Sequence, residues 1–411
     1  VRAIFINRFY WPDEPATAQL LTDLAETLAT RGQSVIVLTS HSGRADLPSE
    51  ETHRSVQILR IRSTRWAGRL GVVGQAVDFG TFFLGALLKL FLTARRSDTV
   101  IALTDPPLLG IGVWLVSALR GARLFHWVQD IYPEIAMELS GHRWLAAFRP
   151  LRNLAWRRAT RCITLGADMA SVLMEAGVPS DHITIIPNWA PAGTKPTPTS
   201  ATADLRAQWG LTGKFVVAYS GNLGRVHDLG PVLTVASALR HDAHIAFVFI
   251  GHGAQRDVLT TEARRLGLTN LQFRPPQPRS SLAASLALAD LHLVTVRPGC
   301  ERFVFPSKLA GIAAIGRPVL FIGPRDCELT RLVTRSGAAF GYAFVGTDTS
   351  AIAERVRSLA QNPVAHAILA SASLRYSASV GGAEIAASRW LPSLAESALA
   401  ASAVPSITKL R

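Results

Sequence analysis

Short β-rich runs alternate with helical-period segments over the first half of the chain, and after a proline-rich break the alternation begins again. In the first half the pattern predicts strands at residues 3–6, 34–39, 57–62, 99–103, 123–128, 161–164 and 183–186. This alternation of β-rich runs with helical-period segments predicts βαβ units around a parallel sheet. Between the first two, Leu20, Leu21, Leu24 and Leu28 recur at helical spacing and Arg31-Gly32 supplies a stop, predicting a helix over residues 16–30.

The break follows Pro187-Asn188-Trp189. Residues 190–203 hold Pro191, Pro196 and Pro198 among threonines and alanines with no large apolar side chain, the composition of a linker. Beyond it, predicted strands at 215–220, 245–250, 271–273, 291–296 and 318–322 build a second doubly wound α/β domain. The chain is therefore read as domains 1–190 and 191–383, two Rossmann-like domains facing a cleft. Residues 384–411 form an alanine-rich helix and a frayed tail, the helix long enough to pack against either domain, including back on the first.

Composition narrows the partners. The 43 lysines and arginines exceed the 29 acidic residues by 14, so the chain is drawn to something acidic: a phosphorylated substrate, an anionic lipid or a nucleic acid. Three scattered cysteines support neither a disulfide framework nor a structural zinc site, and the default setting is reducing and cytoplasmic. The first residues read as a strand, without the features of a signal peptide. The apolar stretch 76–94 approaches spanning length, but Asp78 and Lys89 interrupt it, so it is read as a buried helix that grazes a membrane. Nucleic acid is not expected, since no recognised binding motif occurs and the arginines are interleaved with leucine.

Chemistry concentrates at the carboxyl ends of the second domain's strands. Gly221-Asn222-Leu223-Gly224-Arg225 follows the strand at 215–220, and Gly251-His252-Gly253 follows the next. Such turns let backbone N–H groups approach a phosphate; they also serve as βα turns with no ligand. Further on, Pro306-Ser307-Lys308 opens a helix, so that the N–H groups of Ser307 and Lys308 and the Lys308 ammonium suit a pyrophosphate.

The run PSKLAGIAAIGRPVL at 306–320, the opening YSGNLG at 219–224 and PNW at 187–189 together resemble glycosyltransferase family 4, retaining enzymes of GT-B fold. Within it the likeness is to bacterial transferases of exopolysaccharide and lipid-linked glycan assembly, of the colanic-acid type. The resemblance implies an N-terminal acceptor domain and a C-terminal nucleotide-sugar domain, with no cofactor or metal required. It puts Gly221, Asn222, Gly224, Arg225, Gly251, Gly253, Ser307, Lys308 and Glu328 around the nucleotide sugar. Two departures stand out. The broad family's pair of glutamates falls on Phe303 and Gly311, leaving Glu301 as a displaced candidate for the first, and Asn222 occupies the family's arginine position with His227 near its lysine. Rival readings are a GT-B sugar epimerase and a non-catalytic membrane-surface protein.

In the first domain Gln129-Asp130 ends a strand where related transferases face the donor sugar. Asp130 is thus the catalytic candidate there, against the alternative that it caps the following helix; His126 reads as a packed core histidine. The first βα loop, residues 7–17, replaces the family's glycine pair with Pro15-Ala16-Thr17, and suits either an acceptor site or ordinary packing. Residues 139–167 contain no carboxylate, and Arg143, Arg149, Arg152, Arg157, Arg158 and Arg161 alternate with aromatics and leucines. With Arg54, Arg60, Arg62, Arg65 and Arg69 around Trp66, they predict contact with an anionic membrane surface, unless they are a solvated face over a core stripe. The expected place is peripheral, on the inner face of the cytoplasmic membrane.

Overall fold

The computed structural model describes residues 2–41, 47–64 and 66–402. It comprises two compact units, one built from Val1–Pro187 together with Ala383–Arg411, the other from Asn188–Gly382. Arg65 and the tail beyond residue 402 lie outside the described residues.

The first unit carries eight strands: β1 (Arg2–Ile6), β2 (Ser34–Ser40), β3 (Glu50–His53), β4 (Val56–Ile61), β5 (Thr99–Ala102), β6 (Arg123–Trp127), β7 (Arg161–Thr164) and β8 (Ile183–Ile185). They lie in the order β3-β4-β2-β1-β5-β6-β7-β8, parallel except for the β3–β4 pair. At the centre Ile4 is flanked by Ile36 and Val100, all buried, which is why these strands read as unbroken apolar runs. Sheet order reverses direction at β1, whose neighbours are β2 and β5, so the unit's topological switch point is the carboxyl edge between β1 and β5. The helix Ala16–Thr30 has the predicted bounds.

The helix Ala383–Ser402 returns to this unit and packs on Ala16–Thr30. Its Trp390 is fully buried, with ring centroids 6.0 Å from Phe5 and 5.2 Å from Trp127, and Arg31 pairs with Glu384 at its start. An indole of this size buries enough apolar surface to contribute about 2–3 kcal/mol.

The second unit is a six-stranded parallel sheet of β9 (Phe215–Ser220), β10 (Ile245–Ile250), β11 (Leu271–Arg274), β12 (Leu291–Thr295), β13 (Val319–Ile322) and β14 (Gly341–Phe344), ordered β11-β10-β9-β12-β13-β14. Its switch point lies between β9 and β12. One face packs Val217, Tyr219, Phe247 and Phe249 against the helices Gly230–Ala238 and Thr349–Ala360; the other sets Val216, Ala218 and Val248 beside Trp209 and Leu211.

Three expectations are corrected. The helix Ala67–Thr93 is not simply buried: Phe82, Ala86 and Leu90 face the core, but Leu84, Leu88 and Leu92 face outward. The linker region ends in a helix, Thr199–Gln208. Strands β3 and β14 add an edge to each sheet beyond the expected ones: Glu50-Glu51-Thr52-His53 has no apolar residue, and Gly341-Tyr342-Ala343-Phe344 is short, opens on a glycine and is only partly buried.

Candidate active site

In the second unit β9 and β10 deliver their glycine turns side by side. The Gly221 N–H donates to the Ile250 carbonyl at 2.9 Å, and the Leu223 N–H to that of His252 at 2.6 Å. Gly251 and Gly253 have φ of 145° and 148°, and a Cβ there would stand 2.0 Å from the Gly221 oxygen and 2.5 Å from the Leu223 backbone. These two glycines therefore let the turns touch each other, a role separate from any ligand. Gln255 secures the arrangement, its Nε2 donating to the carbonyls of Gly224 at 2.6 Å and His227 at 2.8 Å, and the Tyr219 hydroxyl donates to the Asn222 carbonyl.

Lys308 meets this cradle from the neighbouring strand's loop. Its Nζ lies 3.5 Å from the Tyr219 ring centroid and 3.6 Å from where a Gly221 Cβ would be. The nitrogen is shielded from water and has no hydrogen-bond partner among the described residues. Burial pushes the ammonium well below its ordinary pKa, because a ring face replaces only part of lost hydration. His227 closes the far side: Nδ1 bonds to the Thr295 carbonyl at 2.6 Å, and its ring meets Tyr219 edge-on. Its pKa falls to about 3, chiefly through burial and then through Lys308, with the Thr295 bond opposing. A buried amine without an acceptor among the described residues, facing a glycine turn at a switch point, has the chemistry that suits a polyanion.

The other candidates are placed less centrally. Ser307 is the N-cap of a seven-residue helix, Lys308–Ala314, without a side-chain cap bond. Arg225, Asn222 and Gly221 are exposed, while Gly224 is partly buried. Glu301 is turned onto its own loop, where Oε2 accepts the Gly299 N–H at 2.7 Å. Glu328 starts the helix Glu328–Val333 and its charge, after burial, helps push the Tyr376 phenol up to about 12. Sequence reading passed over Tyr219 and Gln255, whose only signal was a position within the glycine turns' reach.

In the first unit Asp130, partly exposed, follows β6 and lines a small open pocket with Thr104, His126, Tyr132 and Arg152. Burial, and secondarily the Asp105 charge, raise the Asp130 carboxyl to about 6. Asp105 itself pairs with Arg8 across the β1/β5 switch point at 3.1 Å, and the Arg8 guanidinium stacks over Phe9 and Phe79. His126 is a buried side chain, lowered to about 4 chiefly by burial; a Cβ on Gly110 would stand 2.4 Å from its ring.

The surface-cation expectation fails at Arg152 and Arg60. Arg152 is buried, forks onto both Glu134 oxygens at 2.7 and 3.0 Å, donates to the Tyr132 carbonyl and stacks 3.8 Å over Trp156. Arg60 is buried against Glu51, with bonds to the carbonyls of Pro48 and Trp11. Both are structural charges paired inside the domain. Among the described residues no group of three or more His, Cys, Asp or Glu side chains could hold a metal.

Residues 17–189 match the model of the glycosyl transferase 4-like domain. The chain is 26% identical over 340 residues to WcaI of Escherichia coli (strain K12), assigned to colanic acid biosynthesis as a glycosyl transferase, covering 79% of this chain and 83% of that protein. It is 27% identical over 297 residues to WbjE of Pseudomonas aeruginosa, assigned as a glycosyltransferase, covering 70% and 72%. Among solved structures, sucrose-phosphate synthase of Thermosynechococcus elongatus superposes with a TM-score of 0.78 at 14% identity, covering 98% of this chain and all of that one. Anabaena HepE in complex with UDP-glucose gives 0.74 at 15% identity, covering 96% and 99%. The first domain is thus of the glycosyl transferase 4-like type, both parallel-sheet units follow the GT-B pattern of the solved structures, and the chain as a whole is similar to bacterial glycosyltransferases of that type.

Proposed function

We propose that this enzyme transfers a sugar from a nucleoside-diphosphate sugar to a glycan acceptor, lipid-linked, in the assembly of a bacterial exopolysaccharide or other cell-surface polysaccharide. The observation that carries the donor half is Lys308, a water-shielded amine without an acceptor beside the Gly221 turn. A diphosphate arriving there supplies the missing oxygens and restores the amine's charge. HepE, solved with UDP and with UDP-glucose, supports the ligand class, and WcaI, assigned to colanic acid biosynthesis, supports the polymer.

Transfer proceeds with retention and without a metal on this reading. The bond from the anomeric carbon to the diphosphate oxygen breaks, the acceptor oxygen attacks from the same face, and the departing diphosphate takes the acceptor's proton. Lys308 and the turn's N–H groups stabilise the charge that develops on the leaving group. Asp130 contacts the reacting sugars as a carboxylate. The protein works at the cytoplasmic face of the membrane, where its nucleotide and lipid substrates meet.

The test is thermal melting with a panel of nucleotide sugars, followed by single-turnover transfer to a lipid-linked acceptor with the product's anomer read by NMR. Stabilisation by at least one nucleotide sugar and an unchanged anomer are expected. No stabilisation by any of them would remove the donor assignment, and an inverted product the retaining mechanism.

A further inference from the structure

The helix Ala67–Thr93 carries apolar side chains on two opposite faces. Phe82, Ala86 and Leu90, spaced by four, are committed to the domain core, so one face of the helix belongs to the domain, while the stretch Val73–Thr93 is long and apolar enough to cross a membrane and is only 17% buried. Leu84, Leu88, Phe91 and Leu92 occupy the other face, and Leu84 and Leu92 are each 69% exposed. The helix Leu109–Arg120 packs alongside and exposes Leu115 and Leu119, the latter 76%. Solvated helix faces are normally polar, and a patch spread over two neighbouring helices is the kind that a partner covers.

The charges around it indicate the partner. The two helices end together: Arg120 donates from Nε to the Ala94 carbonyl at 3.0 Å and stacks 5.1 Å over Phe91, while Arg96 packs beside Gly121. Arg95, Arg96 and Arg120 are all exposed at this end. No carboxylate occurs between Asp78 and Asp98 or anywhere in residues 106–129, and Asp98 is buried against Arg2. Glu50 approaches from β3 and is held by Lys89 at 2.6 Å. Leucines rimmed by arginines, with Glu50 neutralised by Lys89, match the cross-section of an anionic lipid surface, with acyl chains below and phosphates above.

We propose that these paired helices seat the enzyme on an anionic bilayer, with Leu88, Leu92 and Leu119 entering the acyl boundary and Arg95, Arg96 and Arg120 at the headgroup phosphates. This rests on the reading of a lipid-linked acceptor and gives that reading a specific surface. It differs from what the sequence suggests, since the run 139–167 has its central Arg152 sealed inside the domain.

The experiment is flotation of the full chain with phosphatidylcholine vesicles and with vesicles that also contain phosphatidylglycerol. The variants are Leu88→Glu/Leu92→Glu/Leu119→Glu and Arg95→Gln/Arg96→Gln, with melting and sedimentation velocity on each. The wild type is expected to float with the anionic vesicles, and each variant to lose about tenfold or more of that binding at unchanged melting temperature. Retained binding in the leucine variant overturns the proposal. So does a wild-type dimer that the leucine variant splits, without vesicle binding, because a second copy would then be the occupant. Stabilisation of both variants by nucleotide sugar is recorded in parallel, so a failed donor assignment and a failed membrane surface are read separately.

Discussion

The Lys308 amine rests 3.5 Å above the centroid of the Tyr219 ring, and the hydroxyl of that ring is bonded to the Asn222 carbonyl within the glycine turn. The cation and the turn are thereby held as one piece by a single aromatic side chain. A protein keeps an unpaired buried amine at a cost to its stability when something else supplies the partner.

Lys308→Met separates these two effects. Removing the amine leaves an apolar side chain of similar length on Tyr219, so the free protein should melt at an equal or higher temperature. Donor-induced stabilisation should vanish and turnover fall by about a hundredfold or more. A variant that loses stability and keeps turnover would make Lys308 a structural residue.

Donor binding should also take up a proton. Burial lowers the Lys308 pKa in the free protein, and a diphosphate within bonding distance raises it again. The amine is therefore protonated in both states at low pH, and only in the complex once the pH exceeds its free-state value. Affinity should fall as pH rises through that window. Calorimetry in two buffers of different ionisation enthalpy measures the uptake directly; equal heats in both would contradict it.

Asp130 predicts an acid limb. Its carboxyl titrates at about 6, so a role that requires the carboxylate is lost as pH falls below that value. The kcat/KM profile should drop on its acid side near 6, and Asp130→Asn should remain low across the range without that limb. A wild-type limb that persists unchanged in a residually active Asn variant would assign it elsewhere.

Gly251→Ala tests the packing of the two turns. Its Cβ would overlap the Gly221 carbonyl at 2.0 Å, a backbone atom that cannot rotate away, and φ is positive besides. A loss of about 3 kcal/mol or more in chemical denaturation is expected, whereas Gly267→Ala, at positive φ in open space, should cost about 1 kcal/mol.

Arg152 and Glu134 form a buried pair, and breaking it should differ from replacing it. Arg152→Met alone strands the Glu134 carboxylate beside the half-exposed Arg149, costing about 3 kcal/mol, while Arg152→Met with Glu134→Leu should recover most of that loss. Denaturant midpoints of the single and double variants close the cycle. Equal losses in both would show that the pair acts through packing alone.

Most of the fold is legible in the residues. Strands such as Phe215–Ser220 and Ile245–Ile250 begin and end where their apolar runs do, because a parallel strand covered on both faces has no room for polar side chains. Edge strand β3 leaves no such mark, since its side chains are half solvated and its hydrogen bonds come from β4. The glycine turns and Pro306-Ser307-Lys308 are likewise visible as types of residue at strand ends, and they point to an anion without saying which glycine meets it.

The sequence by itself thus determined two doubly wound units and marked glycine turns and a Pro-Ser-Lys helix start as candidate phosphate positions, because local periodicity and turn chemistry are written in neighbouring residues. Only the tertiary structure decided which charges are spent internally. Arg152 and Arg60 read as surface cations until their carboxylate partners, Glu134 and Glu51, are folded against them, and Lys308, a phosphate candidate by its place after Pro306-Ser307, is seen only in the fold to lie on the Tyr219 ring without an acceptor among the described residues. Between Phe79 and Leu92 the Ala67–Thr93 helix has only Thr81 and Lys89 as polar side chains, so periodicity could not separate its core face from its outward one. Trp390 finds Phe5 and Trp127 only when residues far apart in the chain are packed together, and burial, unlike period, belongs to the assembled fold.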